Sequence, residues 1–167
     1  TGDAQKMFQA RMGRVAYFRL NPSSLRAKSP LASKLDEVGR GFPSFLHGIL
    51  LENREIFHEM ESAFYSRFDH YQRIELGPDN NQVLKLEFKT REGQKLPAEA
   101  VSDGVMLSLT FIAMAYAPNP AGVMLIEEPE NGIHHASLKE TIETLKALSE
   151  EKGVQIILTT HSPYLLD

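Results

Sequence analysis

The residues best suited to chemistry follow two apolar segments in the last third of the chain. Three carboxylates come directly after apolar residues 123–126: Glu127, Glu128 and Glu130. Residues 154–158, which are apolar except for Gln155, are followed by Thr-Thr-His-Ser-Pro, which contains His161. Carboxylates this close repel one another unless a cation or a proton offsets their charge, and their hard oxygens suit Mg²⁺. The pattern therefore predicts a site for a metal and a phosphate.

A second group could bind phosphate through the backbone. Ser102, Asp103 and Gly104 precede a long apolar stretch that begins at Val105 and predicts a buried helix, with Ser102 as its N-cap. A helix N-terminus offers unpaired amides and a partial positive charge, and a glycine lets a phosphate approach the backbone closely. An ordinary capped core helix is the alternative interpretation.

The elements that would position these residues form an α/β unit. Residues 123–126 are uniformly apolar, residues 154–158 are apolar except for Gln155, and residues 136–152 between them carry leucines and an isoleucine on one helical face. Strand, helix and strand in this order imply a parallel sheet covered on both faces. Ligands of such sheets bind beyond the carboxyl ends of the strands, where the carboxylates and His161 lie.

The preceding residues have a different pattern. Residues 15–20 predict a strand, residues 23–41 a loop, and apolar side chains at three- and four-residue steps predict one amphipathic helix over about 44–66. Residues 73–76 and 83–89 flank Gly-Pro-Asp-Asn-Asn, and the second run alternates apolar and charged side chains, so the pair predicts an antiparallel β-hairpin over about 72–90. We therefore expect two regions, an inserted lid over residues 1–98 and a core over residues 99–167.

Composition excludes several classes of protein. The 167 residues carry 18 basic and 22 acidic side chains, a net charge of −4, which argues against a generally basic nucleic-acid coat. The absence of cysteine excludes a disulfide scaffold and a thiolate zinc site. The longest apolar run, residues 105–117, is shorter than the roughly 18–20 residues of a membrane span, so we expect a cytoplasmic protein without a membrane partner. Residues 1–34 hold seven basic residues and one acid, a surface that could contact DNA.

The three motifs together resemble a known family. Ser-Asp-Gly before an apolar helix is followed by Val-Met-Leu-Ile-Glu-Glu-Pro-Glu-Asn-Gly-Ile-His and then by Ile-Leu-Thr-Thr-His-Ser-Pro-Tyr-Leu-Leu. In this order and spacing they look like the C-terminal part of an ABC-type ATPase with a P-loop NTPase core. The most similar branch is that of the RecF-like, SMC-related ATPases, called AAA-type and grouped with the overcoming-lysogenization-defect nucleases. Residues 99–167 carry nearly all of the resemblance.

The resemblance implies a role for each residue of the carboxylate and histidine motifs. Glu127 matches the Walker B carboxylate that holds Mg²⁺ through water, although many relatives have Asp there. Glu128 matches the carboxylate that deprotonates the attacking water, and His161 matches the switch histidine that senses the γ-phosphate of ATP. The D-loop, through which relatives communicate across a dimer, matches Asn131, Gly132 and His134. His135 departs from the His-Pro pair common in this branch.

The remaining motif implies a shared nucleotide site. Ser102, Asp103 and Gly104 match the signature motif, which in the family contacts the γ-phosphate of ATP bound to the opposing protomer. ATP and Mg²⁺ are therefore the expected cofactors, and a homodimer around sandwiched nucleotide the expected assembly. In this family the dimer commonly binds DNA or an effector protein.

One part of the family's site is missing from the sequence. The phosphate-binding loop Gly-x-x-x-x-Gly-Lys-Ser/Thr does not occur, and the chain contains no Gly-Lys pair. We therefore expect a fragment that lacks its P-loop lobe and is inactive alone, while the intact protein is an ATPase. Two alternatives stay open: a nucleotide-responsive interaction module that does not hydrolyse ATP, and a metal-dependent nuclease or hydrolase using the carboxylates and histidines of residues 127–134.

Overall fold

Two three-stranded sheets, one parallel and one antiparallel, organise the chain. The computed structural model describes residues 15–118, 121–130 and 135–163. In chain order, the parallel sheet contains β1 (Val15–Phe18), β5 (Val123–Glu127) and β6 (Gln155–Thr159), and the antiparallel sheet contains β2 (Tyr71–Pro78), β3 (Leu84–Thr90) and β4 (Lys95–Pro97). The helices are α1 (Pro22–Arg26), α2 (Phe42–Glu52), α3 (Arg54–Arg67), α4 (Asp103–Tyr116) and α5 (His135–Lys152). None of these helices has both the length and the apolar character needed to span a membrane.

The parallel sheet contains the strand, helix and strand predicted from the sequence. β5 lies in the middle, with β1 along one edge and β6 along the other, and α5 connects β5 to β6. Both pairings are parallel, so the three carboxyl ends lie at the same edge of the sheet. The predicted α/β fold class with a parallel sheet is confirmed.

Helix α4 supplies much of the hydrophobic core. All of its residues 104–115 are buried, which explains why the segment is apolar on every side. It packs against α1, α3 and α5. Three buried hydroxyls remain hydrogen-bonded inside this core, because Thr110 Oγ1 donates to the Met106 carbonyl at 2.8 Å and Thr144 Oγ1 donates to Ser108 Oγ at 3.5 Å.

The single helix predicted over about 44–66 is wrong. The structure has two helices, α2 and α3, which meet at Asn53 in an extended conformation (φ −153°, ψ 106°). The Asn53 amide donates to the Ile49 carbonyl and closes α2, while its side-chain oxygen accepts from the amides of Glu55 (2.9 Å) and Ile56 (3.1 Å) and caps α3. Asparagine is a strong N-cap residue because its side chain replaces a missing helical acceptor.

The segment predicted as a loop over residues 23–41 also begins differently, because its first four residues belong to α1. Asn21 caps this short helix by accepting from the amides of Ser23 at 2.9 Å and Ser24 at 3.4 Å. Leu25 is fully buried and anchors α1 in the core. This helix therefore holds the connection after β1 against the body of the protein.

The structure has an antiparallel pair, β2 and β3, in the region predicted as a hairpin, and adds β4 as a third strand. Alternate residues of β3 are buried, as expected for a strand with one wet face: Leu84, Leu86, Phe88 and Thr90. Phe88 packs in an aromatic cluster with Phe64 and Tyr71, at ring-centroid distances of 6.2 and 5.4 Å. The antiparallel sheet is thereby fixed to α3 and to the core.

Candidate functional site

Glu128 and His161 lie side by side beyond the ends of β5 and β6. The Glu128 amide donates to the Thr159 carbonyl at 2.9 Å, which extends the pairing of the two strands by one residue. Glu128 Oε1 lies 3.5 Å from His161 Nε2. The structure thus brings together a carboxylate and an imidazole that are 33 residues apart in the chain.

The backbone of Glu128 adopts an uncommon conformation. Its φ is +46°, in the left-handed region that residues other than glycine rarely enter. Such conformations cost on the order of 1–3 kcal/mol and are concentrated at functional sites, where the surrounding structure holds them. Here the hydrogen bond to Thr159 provides part of that support.

Sequence reasoning missed two residues at this site, Tyr17 in β1 and Arg19 directly after it. The Tyr17 hydroxyl donates to Glu127 Oε2, and this hydrogen bond, followed by partial desolvation, raises the pKa of Tyr17. Arg19 Nη2 lies 3.5 Å from Glu128 Oε2, and its Nη1 lies 4.0 Å from Glu127 Oε1. The sequence signal that could have indicated them is their two-residue spacing, because side chains two residues apart in an extended segment lie on the same side.

The Arg19 ion pairs offset the repulsion between neighbouring carboxylates. The Arg19 side chain is 53% exposed, whereas those of Glu127 and Glu128 are 35% and 24% exposed. Ion pairs this open to water contribute about 0–1 kcal/mol, so their main effect is on local charge and side-chain orientation. Both carboxylates stay accessible from solvent.

Glu130 has a different role from the other two carboxylates. Its Oε1 accepts from Thr160 Oγ1 at 2.7 Å and from the amides of His161 and Ser162 at 2.7 and 3.1 Å. Burial alone would raise the pKa of Glu130, but these hydrogen bonds outweigh it and lower the pKa. Glu130 thus fixes the backbone that carries His161.

Ser102, Asp103 and Gly104 lie at the start of α4. Ser102 is exposed and serves as the N-cap, accepting from the Val105 amide at 3.4 Å, while Gly104 is buried. Asp103 Oδ1 accepts from Arg26 Nη2 at 2.5 Å. A cavity of about 410 Å³ has both Arg19 and Asp103 in its wall, so Asp103 and the arginine that contacts Glu127 and Glu128 face a common space.

Three of the predicted site residues, Asn131, Gly132 and His134, lie outside the described residues. Within the described ranges, no group of three or more His, Asp or Glu side chains is arranged to hold a metal ion. Glu127 and Glu128 nevertheless offer accessible hard oxygens, which suit Mg²⁺ held mainly by water and substrate phosphates.

Comparison with known proteins gives a family and a fold. A family model described as "AAA domain, putative AbiEii toxin, Type IV TA system" matches residues 9–167. No curated protein matches the chain.

A solved structure of a Smc head is similar in fold. A Smc head bound to the C-winged helix domain of ScpA is 19% identical with a TM-score of 0.51, over 87% of this chain and 46% of that one. A Smc head domain with a coiled coil and joint derived from Pyrococcus yayanosii is 19% identical with a TM-score of 0.49, over 72% of this chain and 24% of that one. The chain thus spans less than half the length of either structure.

Proposed function

The chain belongs to the AAA-domain family whose model it matches, and from this premise we propose that it is the signature-bearing part of an ABC-type ATPase of the RecF-like branch. The intact protein would bind and hydrolyse ATP with Mg²⁺. The observation that carries this proposal is the pairing of Glu128 with His161 at the carboxyl ends of neighbouring parallel strands. Ligands bind at that edge in open α/β sheets.

In this proposal Glu128 is the general base. It accepts a proton from the water that attacks the γ-phosphate, and a positioned base typically contributes about 10²–10⁴ in rate. The nearby His161 would contact the same γ-phosphate and would thereby sense whether it is bound. Glu130 supports this arrangement by holding the amides of His161 and Ser162.

Glu127 would hold Mg²⁺ through water. When bound, the ion supplies charge stabilisation to the phosphoryl group being transferred. Tyr17 and Arg19 contribute by orienting the two carboxylates, because they bind Glu127 and Glu128 through hydrogen bonds and ion pairs. We thus assign Tyr17 and Arg19 as positioning residues.

The exposed N-cap of α4 supports a shared nucleotide site. Ser102, Asp103 and Gly104 would meet the γ-phosphate of ATP on an opposing protomer, since helix N-terminal amides and the helix dipole favour anions. Asn131, Gly132 and His134 would form the D-loop of the same interface. ATP binding would then join two protomers, and hydrolysis would release them, driving a change in a bound DNA or effector protein.

The edge strand β6 supports the proposal that a P-loop lobe completes the sheet. Among the described residues, β6 pairs with β5 alone, and it leaves Ile157 and Leu158 48% and 37% exposed. An open edge with exposed apolar side chains is unfavourable in water and is normally covered. A further parallel strand carrying the P-loop would cover it and bring the loop beside His161.

The test is Mg²⁺-dependent ATP hydrolysis by the intact protein. We expect turnover by the wild type, a loss of at least about 100-fold in Glu128→Gln with ATP binding retained, and none by the 167-residue chain alone. Glu150→Gln is the matched control, because Glu150 is exposed and lies near the C-terminal end of α5. Normal hydrolysis by Glu128→Gln would remove Glu128 from the mechanism, and an inactive wild type would favour a non-hydrolysing interaction module.

A further inference from the structure

Arg26 makes three hydrogen bonds to the segment that leads into α4. Its Nε donates to the Ala98 carbonyl at 3.0 Å, and its Nη2 donates to the Val101 carbonyl at 2.7 Å and to Asp103 Oδ1 at 2.5 Å. Only 14% of the Arg26 side chain is exposed. These acceptors are 72 to 77 residues away in sequence, so the contact is a specific tertiary one.

The geometry requires an arginine. A guanidinium presents several donors in a fixed plane and can serve three acceptors at once, whereas a lysine ammonium is a compact charge on a flexible stem. Because two of the acceptors are backbone carbonyls, Arg26 fixes the path of residues 98–103. The short 3₁₀ helix Ala98–Ala100 and the N-cap of α4 both belong to this path.

Arg26 is itself held firmly. Asn21 caps α1, and its backbone amide donates to the Val38 carbonyl at 3.0 Å. Leu25, the neighbour of Arg26, is fully buried. The Arg19 amide donates to the Glu37 carbonyl at 2.8 Å, so both ends of residues 19–26 are anchored.

The two ends of this segment contact different parts of the candidate site. Arg19 binds the Glu127 and Glu128 carboxylates, while Arg26 binds Asp103. The eight residues 19–26 therefore connect the proposed general base to the proposed signature motif. This connection lies within one protomer, whereas the signature motif would act on nucleotide held by the other.

We infer that Arg26 is a positioning residue that holds Ser102, Asp103 and Gly104 in the conformation that receives the opposing protomer's nucleotide. The inference rests on the proposed function. The conformation of residues 102–104 then depends on the three hydrogen bonds of Arg26. Loss of these hydrogen bonds weakens the ATP-dependent association of two protomers but leaves ATP binding by a single protomer unchanged.

The experiment compares Glu128→Gln with Glu128→Gln/Arg26→Lys in the intact protein. The dissociation constant of the dimer is measured at saturating Mg-ATP by analytical ultracentrifugation, and ATP binding is measured separately at protomer concentrations too low for association. Arg26→Lys should raise the dimer dissociation constant about tenfold and change ATP affinity less than twofold, because one charge-assisted hydrogen bond is worth roughly that factor or more. Arg40→Lys is the matched control, since Arg40 is exposed and its side chain has no described ion pair.

The outcomes separate the inference from the proposed function. If Glu128→Gln forms no ATP-dependent dimer, the proposed function fails. If it dimerises and Arg26→Lys leaves the dissociation constant within twofold, the inference is overturned while the function stands. Should Arg26→Lys fail to fold, Arg26→Gln keeps two planar N–H donors but loses the charge and the remaining donors, and it should also raise the constant. Unchanged association in that variant would equally overturn the inference.

Discussion

Replacing Glu130 by glutamine should destabilise the protein at neutral pH, and the loss should shrink as the pH falls. Glu130 Oε1 accepts three hydrogen bonds, from Thr160 Oγ1 and from the amides of His161 and Ser162. Hydrogen bonds to a charged group contribute about 1.5–3 kcal/mol each, and neutral ones about 0.5–1.5 kcal/mol. Glutamine keeps the shape and one acceptor but loses the charge, so we expect a net loss of about 1–2 kcal/mol in the free energy of unfolding.

The pH dependence follows from the direction of the pKa shift. The pKa of Glu130 in the folded protein is lowered from the ordinary value of 4.5, because the hydrogen bonds favouring the carboxylate outweigh the opposing effect of burial. A group with a lowered folded pKa stabilises the protein fully above its unfolded pKa. That contribution is lost as the pH falls below 4.5 and through the folded pKa. The difference between wild type and Glu130→Gln should therefore be largest near pH 7 and smallest near pH 3.

The assay is urea-induced unfolding followed by circular dichroism, at several pH values between 3 and 7. Glu150→Gln serves as the control, because Glu150 is exposed and should change stability by less than about 0.5 kcal/mol. A loss in Glu130→Gln of the same size at every pH would show that the charge of Glu130 is not what stabilises this turn. An unchanged stability at pH 7 would refute the reasoning altogether.

Two further predictions concern the region before β2. Gly41 has a φ of +82°, and a Cβ there would lie 2.2 Å from the Lys34 carbonyl oxygen, so Gly41→Ala should cost at least about 2 kcal/mol in urea unfolding. Gly48→Ala, inside α2 with open space around the new Cβ, should instead stabilise by roughly 0.5–1 kcal/mol, and equal effects of the two variants would contradict this explanation. Asn53→Ala removes the cap of α3 and should cost about 1 kcal/mol in the same assay, whereas no change would show that α3 does not need the cap.

The sequence predicted the elements whose signals are local. β5 and β6 are mostly apolar strands and α5 has a helical apolar period, and each pattern lies within the element itself. The helix around Asn53 was mispredicted because apolar side chains recur at helical steps on both sides of the break. Asn53 is a residue type that favours helix N-caps and so indicated the start of a second helix, but the continuous apolar periodicity favoured a single helix.

The missed site residues depend on distant pairings. Tyr17 and Arg19 reach the carboxylates because β1 pairs in parallel with β5, more than 100 residues later. Arg26 reaches Asp103 by a similar long-range contact. No local pattern specifies which strand or loop a given arginine will meet, whereas Glu127, Glu128 and His161 could be recognised from their own strand ends.

The central claim is that the β5 and β6 strand ends and the start of α4 belong to one ATP site shared by two protomers. The most direct measurement is the mass in solution of intact Glu128→Gln with Mg-ATP, by light scattering after size-exclusion chromatography. We predict twice the protomer mass with ATP, the protomer mass without nucleotide, and the protomer mass with ATP when Ser102→Arg is added. The protomer mass under all three conditions, or a dimer that forms regardless of nucleotide and of Ser102, would contradict the claim.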